Sequence, residues 1–340
     1  MSRTIGPWTL AAVFCAAAAV TSLDYSFHPG ESTLLARRGF HHGILNRTAN
    51  APERYRVLIP AIVEGPIRAL ASVMPYEQAF DRAYAIFYLL AMVSMLWSIY
   101  AYLTEWFTDD QALVGALLVA CTVRITIRQH DWAPGSYLEP GFFAIGLLLI
   151  LRDRRWWFAL LVAVASLSRE TGVFLVLLYA ATAPLGRRTW RTTLAYLAVS
   201  GAVFLGVRFV AGDAERYWTL GRVLETNLSQ PLLAVFNISV FLGAVWLFAV
   251  LGFARAPAFV RRAAIVIPIY LAAIAVWGIW WEVRLLMPLY PLVVPLALSY
   301  LFPPSSSAPH EGVPYVPAPH EGAPYVPAPH TVVPHKTASA

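Results

Sequence analysis

Apolar residues fall into long unbroken runs rather than into the short alternations of a soluble sheet or the narrow stripes of surface helices. Scanned with a window of about 20 residues, the runs lie near 8–23, 83–104, 110–123, 139–151, 156–168, 171–184, 192–211, 232–253, 262–281 and 285–302. The pattern predicts an all-α polytopic membrane protein with about ten transmembrane helices. The four runs between 110 and 184 are no longer than 15 residues, so as helices they reach only about 20 Å against a hydrocarbon core of about 30 Å. Helices that short must dip, thin the bilayer or line a wet cavity.

Between the first two runs, "RYRVLIPAIVEGPIRALASVM" (54–74) sets apolar clusters against Arg54, Arg56, Glu64 and Arg68. This predicts an amphipathic helix lying in the interface. After residue 302 the pattern breaks into "APHEGVPYVP", "APHEGAPYVP" and a degenerate third copy. The expected organisation is a membrane domain over 1–302 and a disordered Pro/His-rich repeat tail over 303–340. In so extended a tail, His310, His320 and His330 form only a loose metal-binding candidate.

Composition sharpens the class. The chain is 59% hydrophobic and 13% charged, with mean hydropathy +0.60, far outside the range of soluble domains. Its formal net charge of +6 does not point to nucleic acid, because the basic residues cluster in short loops where they orient helices. With "RDRR" (152–155), "GRRTWR" (186–191) and "RAPAFVRR" (255–262) cytoplasmic, both termini are expected in the cytoplasm. The apolar N-terminal run reads as an uncleaved first span of an inner-membrane protein, with a cleaved signal peptide as the alternative. Cys15 and Cys121 both fall in apolar runs, which argues against a disulfide framework or cysteine metal site.

With that orientation, one boundary collects the polar residues: Asp24, His130, Asp131, Glu139, Arg169, Glu170, Glu282 and Arg284. Charges at membrane depth face a partner or a cavity. A carboxylate held at the headgroup plane, as Asp24 would be, suits a general base toward a hydroxyl. The forked guanidinium groups of Arg54, Arg56, Arg169 and Arg284 suit phosphate, although each arginine by itself also fits interfacial snorkelling. Asp24, His130, Asp131 and Glu139 would suit a divalent cation, which the sequence does not require. Glu139 and Glu170 each sit at a helix start, where a carboxylate also answers the helix dipole. The tryptophans of "WGIWWEVR" (277–284) fit an aromatic belt by default, and their faces also suit a sugar ring or a polyprenyl chain. Asn46, Asn227 and Asn237 match the glycosylation acceptor pattern, but Asn237 falls inside an apolar run.

Taken together, Asp24 closing the first span, the "RYRVLIP" segment, the short middle helices, "RET" before a span and "EVRLLMPLYPL" near the end resemble the GT-C superfamily of membrane glycosyltransferases, in its uncharacterised bacterial branch. The resemblance covers residues 5–302. It implies transfer of a sugar from a polyprenyl-phosphate-linked donor to an extracytoplasmic acceptor, with inversion. Asp24 would be the base, Arg54, Arg56, Arg169 and Arg284 the donor-phosphate ligands, and Glu170, Glu282, His130, Asp131 and Glu139 supporting groups. Many members pair two acids in the first loop, whereas here Tyr25 follows Asp24 and the next acid is Glu31. A flippase or transporter and a non-catalytic partner of an envelope assembly are the competing readings. The expected partners are membrane lipid and the lipid-linked donor.

Overall fold

A computed structural model describes residues 5–27, 31–123, 134–184 and 186–302, with only the backbone of 22–27 and 31–33. The chain divides into Met1–Ala308 and Pro309–Ala340, and everything described belongs to the first unit. The repeat tail, with His310, His320 and His330, lies outside the described residues.

Each of the ten apolar runs is helical. The first half comprises α1 (Pro7–Phe27), α2 (Glu31–Leu45), α3 (Leu58–Ala71), α4 (Tyr76–Leu103), α5 (Asp109–Val123), α6 (Leu138–Leu151) and α7 (Arg155–Ser168). The second half comprises α8 (Val173–Thr182), α9 (Arg187–Ala211), α10 (Leu220–Ser229), α11 (Pro231–Leu242), α12 (Ala244–Gly252), α13 (Ala258–Ala263), α14 (Val266–Trp277) and α15 (Tyr290–Leu301). The all-α class is as the pattern predicts, but the number of crossings is smaller by length. Among the described residues four helical stretches are long and apolar enough to cross a membrane: Tyr76–Leu103, Arg187–Ala211, Ala258–Trp277 and Val283–Leu301. The run 232–253 would make a fifth, but it is broken into α11 and α12 with a 63° bend. The bend sits at Gly243, whose φ of 48° with ψ of −126° is closed to residues bearing a Cβ. Together these spans make an integral membrane protein.

Burial separates the spans by role. Within the apolar window of Val283–Leu301, 94% is buried inside the protein, against 11% for Arg187–Ala211. So α15 is the core helix, packed chiefly on α12, while α9 presents its apolar side chains outward, as a lipid-facing helix does. Pro291 occupies the first turn of α15 and Pro295 its interior. Close packing on every side compensates for the backbone bond that Pro295 removes. The segment predicted to be amphipathic is α3, which buries Ile59, Val63 and Ile67 against α4 and leaves Ile62 and Arg68 outside.

Candidate functional site

The site is built on the turn "SRETG" between two short helices. Ser168 ends α7, and Arg169 takes up an extended conformation (φ −166°, ψ 156°) that stops helical propagation. Its carbonyl then accepts from Gly172 N–H at 3.0 Å, closing a 3₁₀ turn over Glu170–Gly172. The turn presses so closely on α7 that a Cβ at Gly172 would stand 2.8 Å from the backbone of Ala165 and Ser166.

This geometry sends consecutive side chains in different directions. Arg169, 8% exposed, donates from Nη1 to Glu139 Oε2 at 3.4 Å, and Thr171 donates to Glu139 Oε1 at 3.0 Å. Glu139, at the first turn of α6, is itself buried. Glu170 turns the other way and accepts from Arg56 Nη2 at 3.1 Å. The turn is thereby locked to α6 on one side and to the first loop on the other.

The first loop is strapped in place from a distant part of the chain. Ala51 forms a parallel bridge with Arg216, with Ala51 N–H donating to Glu215 O at 2.8 Å. Arg54 donates from Nε to Ala49 O at 2.8 Å and from Nη1 to Asp213 O. Its guanidinium therefore holds backbone, while Arg56, two residues later, reaches Glu170.

Strap, turn and the C-terminal end of α14 enclose a cleft of about 400 Å³. Five arginines line it, Arg56, Arg169, Arg208, Arg216 and Arg284, against three glutamates, Glu53, Glu170 and Glu282, leaving a formal surplus of two positive charges. Arg208 lies 3.7 Å over the Phe204 ring and 4.8 Å over that of Tyr55. Arg284 is 6% exposed and donates from Nη2 to Glu282 at 2.6 Å. Its Nε and Nη1 meet no acceptor among the described residues. The loop bearing Trp280 and Glu282 is pinned by two side-chain amides. Asn227 donates to Gly278 O and accepts from Trp280 N–H, both at 2.9 Å, and Asn237 donates to Trp281 O at 3.2 Å. With both polar atoms of Asn227 engaged and the side chain 0% exposed, its glycosylation pattern has a packing role instead. Beside the cleft runs an apolar groove of about 440 Å³, walled by Trp246, Leu271, Trp280 and Leu286, which shares Ile274 and Glu282 with it.

Residues 78–210, from the first turn of α4 to the end of α9, match the family described as dolichyl-phosphate-mannose-protein mannosyltransferase. Over that segment the chain is similar to a GT-C family of membrane glycosyltransferases. Members of that family transfer mannose from a dolichyl- or polyprenyl-phosphate-mannose donor to acceptors. No curated protein and no solved structure matches the chain. The matched segment includes Glu139, Arg169, Glu170 and Arg208; Asp24, Arg56 and Arg284 lie outside it.

Of the residues singled out in the sequence, Arg56, Arg169, Glu170, Glu282 and Arg284 converge on the cleft, with Glu139 directly behind Arg169. Arg54 does not join its lining. Asp24 falls near the C-terminal end of α1, with its side chain outside the described set, and His130 and Asp131 lie wholly outside it. The oxygen-rich set considered for a divalent cation thus has one described member, Glu139. Arg208, Arg216 and Glu53 were not singled out. Nothing local marks them, since the strap that gathers them joins residues more than 150 positions apart.

The first loop also contains a buried polar cluster. His41, 0% exposed on α2, lies 2.9 Å from Tyr84 Oη through Nδ1 and 3.0 Å from Glu64 through Nε2. Glu64 also accepts from Arg68 Nε at 2.6 Å. An ionised carboxylate only accepts, so Nε2 carries the imidazole proton and Nδ1 accepts from Tyr84. Burial pushes His41 below its ordinary pKa, outweighing the pull of Glu64 toward protonation. Burial would raise Glu64, but the hydrogen bonds from Arg68 and His41 hold it below the usual carboxylate range. The cluster joins α2, α3 and α4, and so fixes the helix that follows Arg56.

Proposed function

We propose that the five-arginine cleft binds the phosphate of a polyprenyl-phosphate-linked sugar and that the adjoining apolar groove receives the first isoprene units. The observation that carries this reading is Arg284, a buried guanidinium with two donor nitrogens unmet among the described residues. Leaving such donors dry is costly, and a phosphate oxygen in the cleft would satisfy them. In the reaction, Asp24 takes the proton of an acceptor hydroxyl and the hydroxyl oxygen attacks the anomeric carbon. The bond from that carbon to the donor's phosphate oxygen breaks, and its electron pair leaves with polyprenyl phosphate. Arg284, Arg56 and Arg169 stabilise the charge gathering on that leaving group, an effect worth about 100-fold or more per well-placed donor. Trp218 and Trp277, both on the cleft wall, offer faces for the sugar ring.

In this reading the cleft opens extracytoplasmically, the basic loops face the cytoplasm and the membrane is the inner one. The short helices α5–α8 complete about ten partial or full crossings, and the repeat tail is a separate appendage. The test is transfer from a panel of polyprenyl-phosphate sugars by the full chain in nanodiscs, comparing wild type, Asp24→Asn and Arg284→Ala. Loss of transfer in both variants, with folding retained, supports the assignment. Donor that crosses the bilayer chemically unchanged in the wild type would replace it with a flippase.

A further inference from the structure

The strap that brings Arg56 and Arg216 to the cleft also brings Arg54 to a second hollow, of about 320 Å³, at the C-terminal end of α9. Its floor is apolar, formed by Ile44, Val57, Val207 and Val210, and its rim carries Arg47 and Arg54. The neighbouring surface of α9 is built for hydrocarbon: Leu205 is 66% exposed, Phe209 90% and Val210 60%. The hollow therefore lies where a lipid-facing helix leaves the apolar region for the loop after Ala211, at headgroup depth.

Among the described residues neither rim charge is paired with a carboxylate. Arg54 donates to two backbone carbonyls, and among the described residues no hydrogen bond or ion pair engages the Arg47 side chain. Arg47 is also in an unexpected backbone state. It closes α2 with φ of +59°, while Thr48 and Ala49 N–H both return to Gly43 O at 2.7 and 2.9 Å. That left-handed closing position favours glycine or asparagine, and an arginine there costs about 1 kcal/mol. Helix closure does not explain the choice; a positive charge above an apolar hollow does.

We propose that this hollow holds one anionic phospholipid, its phosphate between Arg47 and Arg54 and an acyl chain along Val207 and Val210. Charge complementarity selects the occupant: two uncompensated guanidinium groups over an apolar floor suit a phosphodiester with net negative charge better than a zwitterion. Bound there, the lipid ties the end of α2, the strap and α9 together, next to the loop that carries Arg56.

The test is thermal stability of the purified full chain in detergent, titrated with phosphatidylglycerol, phosphatidylcholine or inorganic phosphate. Arg47→Asn is the first variant, since asparagine suits the left-handed backbone and removes only the charge. Val207→Trp is the second, and it fills the hollow without altering either arginine. Stabilisation by phosphatidylglycerol at concentrations at least about tenfold below those needed with phosphatidylcholine is expected, because a ligand of the folded state raises Tm by mass action. Both variants are expected to weaken the phosphatidylglycerol response about tenfold. Equal responses to the two lipids, an unchanged response in either variant, or full stabilisation by inorganic phosphate would each overturn the proposal.

Discussion

Arg169 and Arg284 are both buried arginines on one cleft, at 8% and 6% exposure, yet their surroundings differ in kind. Arg169 has a buried carboxylate behind it, Glu139, itself bonded by Thr171. Arg284 has Glu282 on Nη2, with Nε and Nη1 unmet among the described residues. A guanidinium stripped of water is tolerated when its counter-charge and acceptors are within the fold. One with donors left over stores unfavourable energy that an incoming acceptor releases. In the proposed reading the "SRET" turn, with its counter-charge inside the fold, braces Arg169 at the cleft, and the "WWEVR" turn carries the donors left for the phosphate.

The largest expected effect separates the two halves by activity. Arg284→Ala should lower sugar transfer by about 100-fold or more while leaving Tm within a few degrees, since its removal also deletes unsatisfied buried donors. A steep fall in Tm together with activity would make Arg284 architectural as well and erase the distinction. Next comes stability of the turn. Glu139→Gln leaves Arg169 without its counter-charge and should cost about 3 kcal/mol, visible as a clear drop in Tm. Replacing both partners with apolar residues, Arg169→Met with Glu139→Leu, should restore much of that loss, and a double-mutant cycle in nanodiscs measures the coupling.

The smallest effect concerns the first-loop cluster. His41 has its folded-state pKa below the ordinary value of 6.5, so the unfolded chain binds the proton more readily. Stability should then be full above about pH 6.5 and fall as pH drops from there through the folded-state value. Glu64, also lowered, adds loss in the same direction, starting near pH 4.5. Tm measured against pH should therefore slope downward on mild acidification, and His41→Gln should flatten the segment that begins near 6.5. An unchanged slope in the variant would remove His41 as its source.

Hydrophobic patterning made the helical architecture legible because each apolar run is its own signal, and all ten became helices. It missed α2 and α10, whose polar stretches "RRGFHHG" and "GRVLETN" carry no apolar run. It also read 232–253 as one straight segment, because the break depends on the backbone freedom of one residue, Gly243. For the site, ionisable residues beside short helices were visible as a group, and five of them meet at the cleft. The division of labour within "RYR" was not visible: Arg54 holds the strap and Arg56 meets Glu170, a choice made by a loop turn. Arg208 and Arg216 were equally hidden, since their proximity to Arg56 arises from the Ala51–Arg216 bridge and leaves no local mark.

In the proposed reading the unmet donors of Arg284 are the phosphate-binding element. Its most direct measurement is the affinity of polyprenyl phosphate for the full chain in nanodiscs, for wild type and for Arg284→Ala. Tight binding by wild type is expected, with binding weakened at least about tenfold in the variant, about 1.4 kcal/mol. Equal affinity in the two proteins would contradict it.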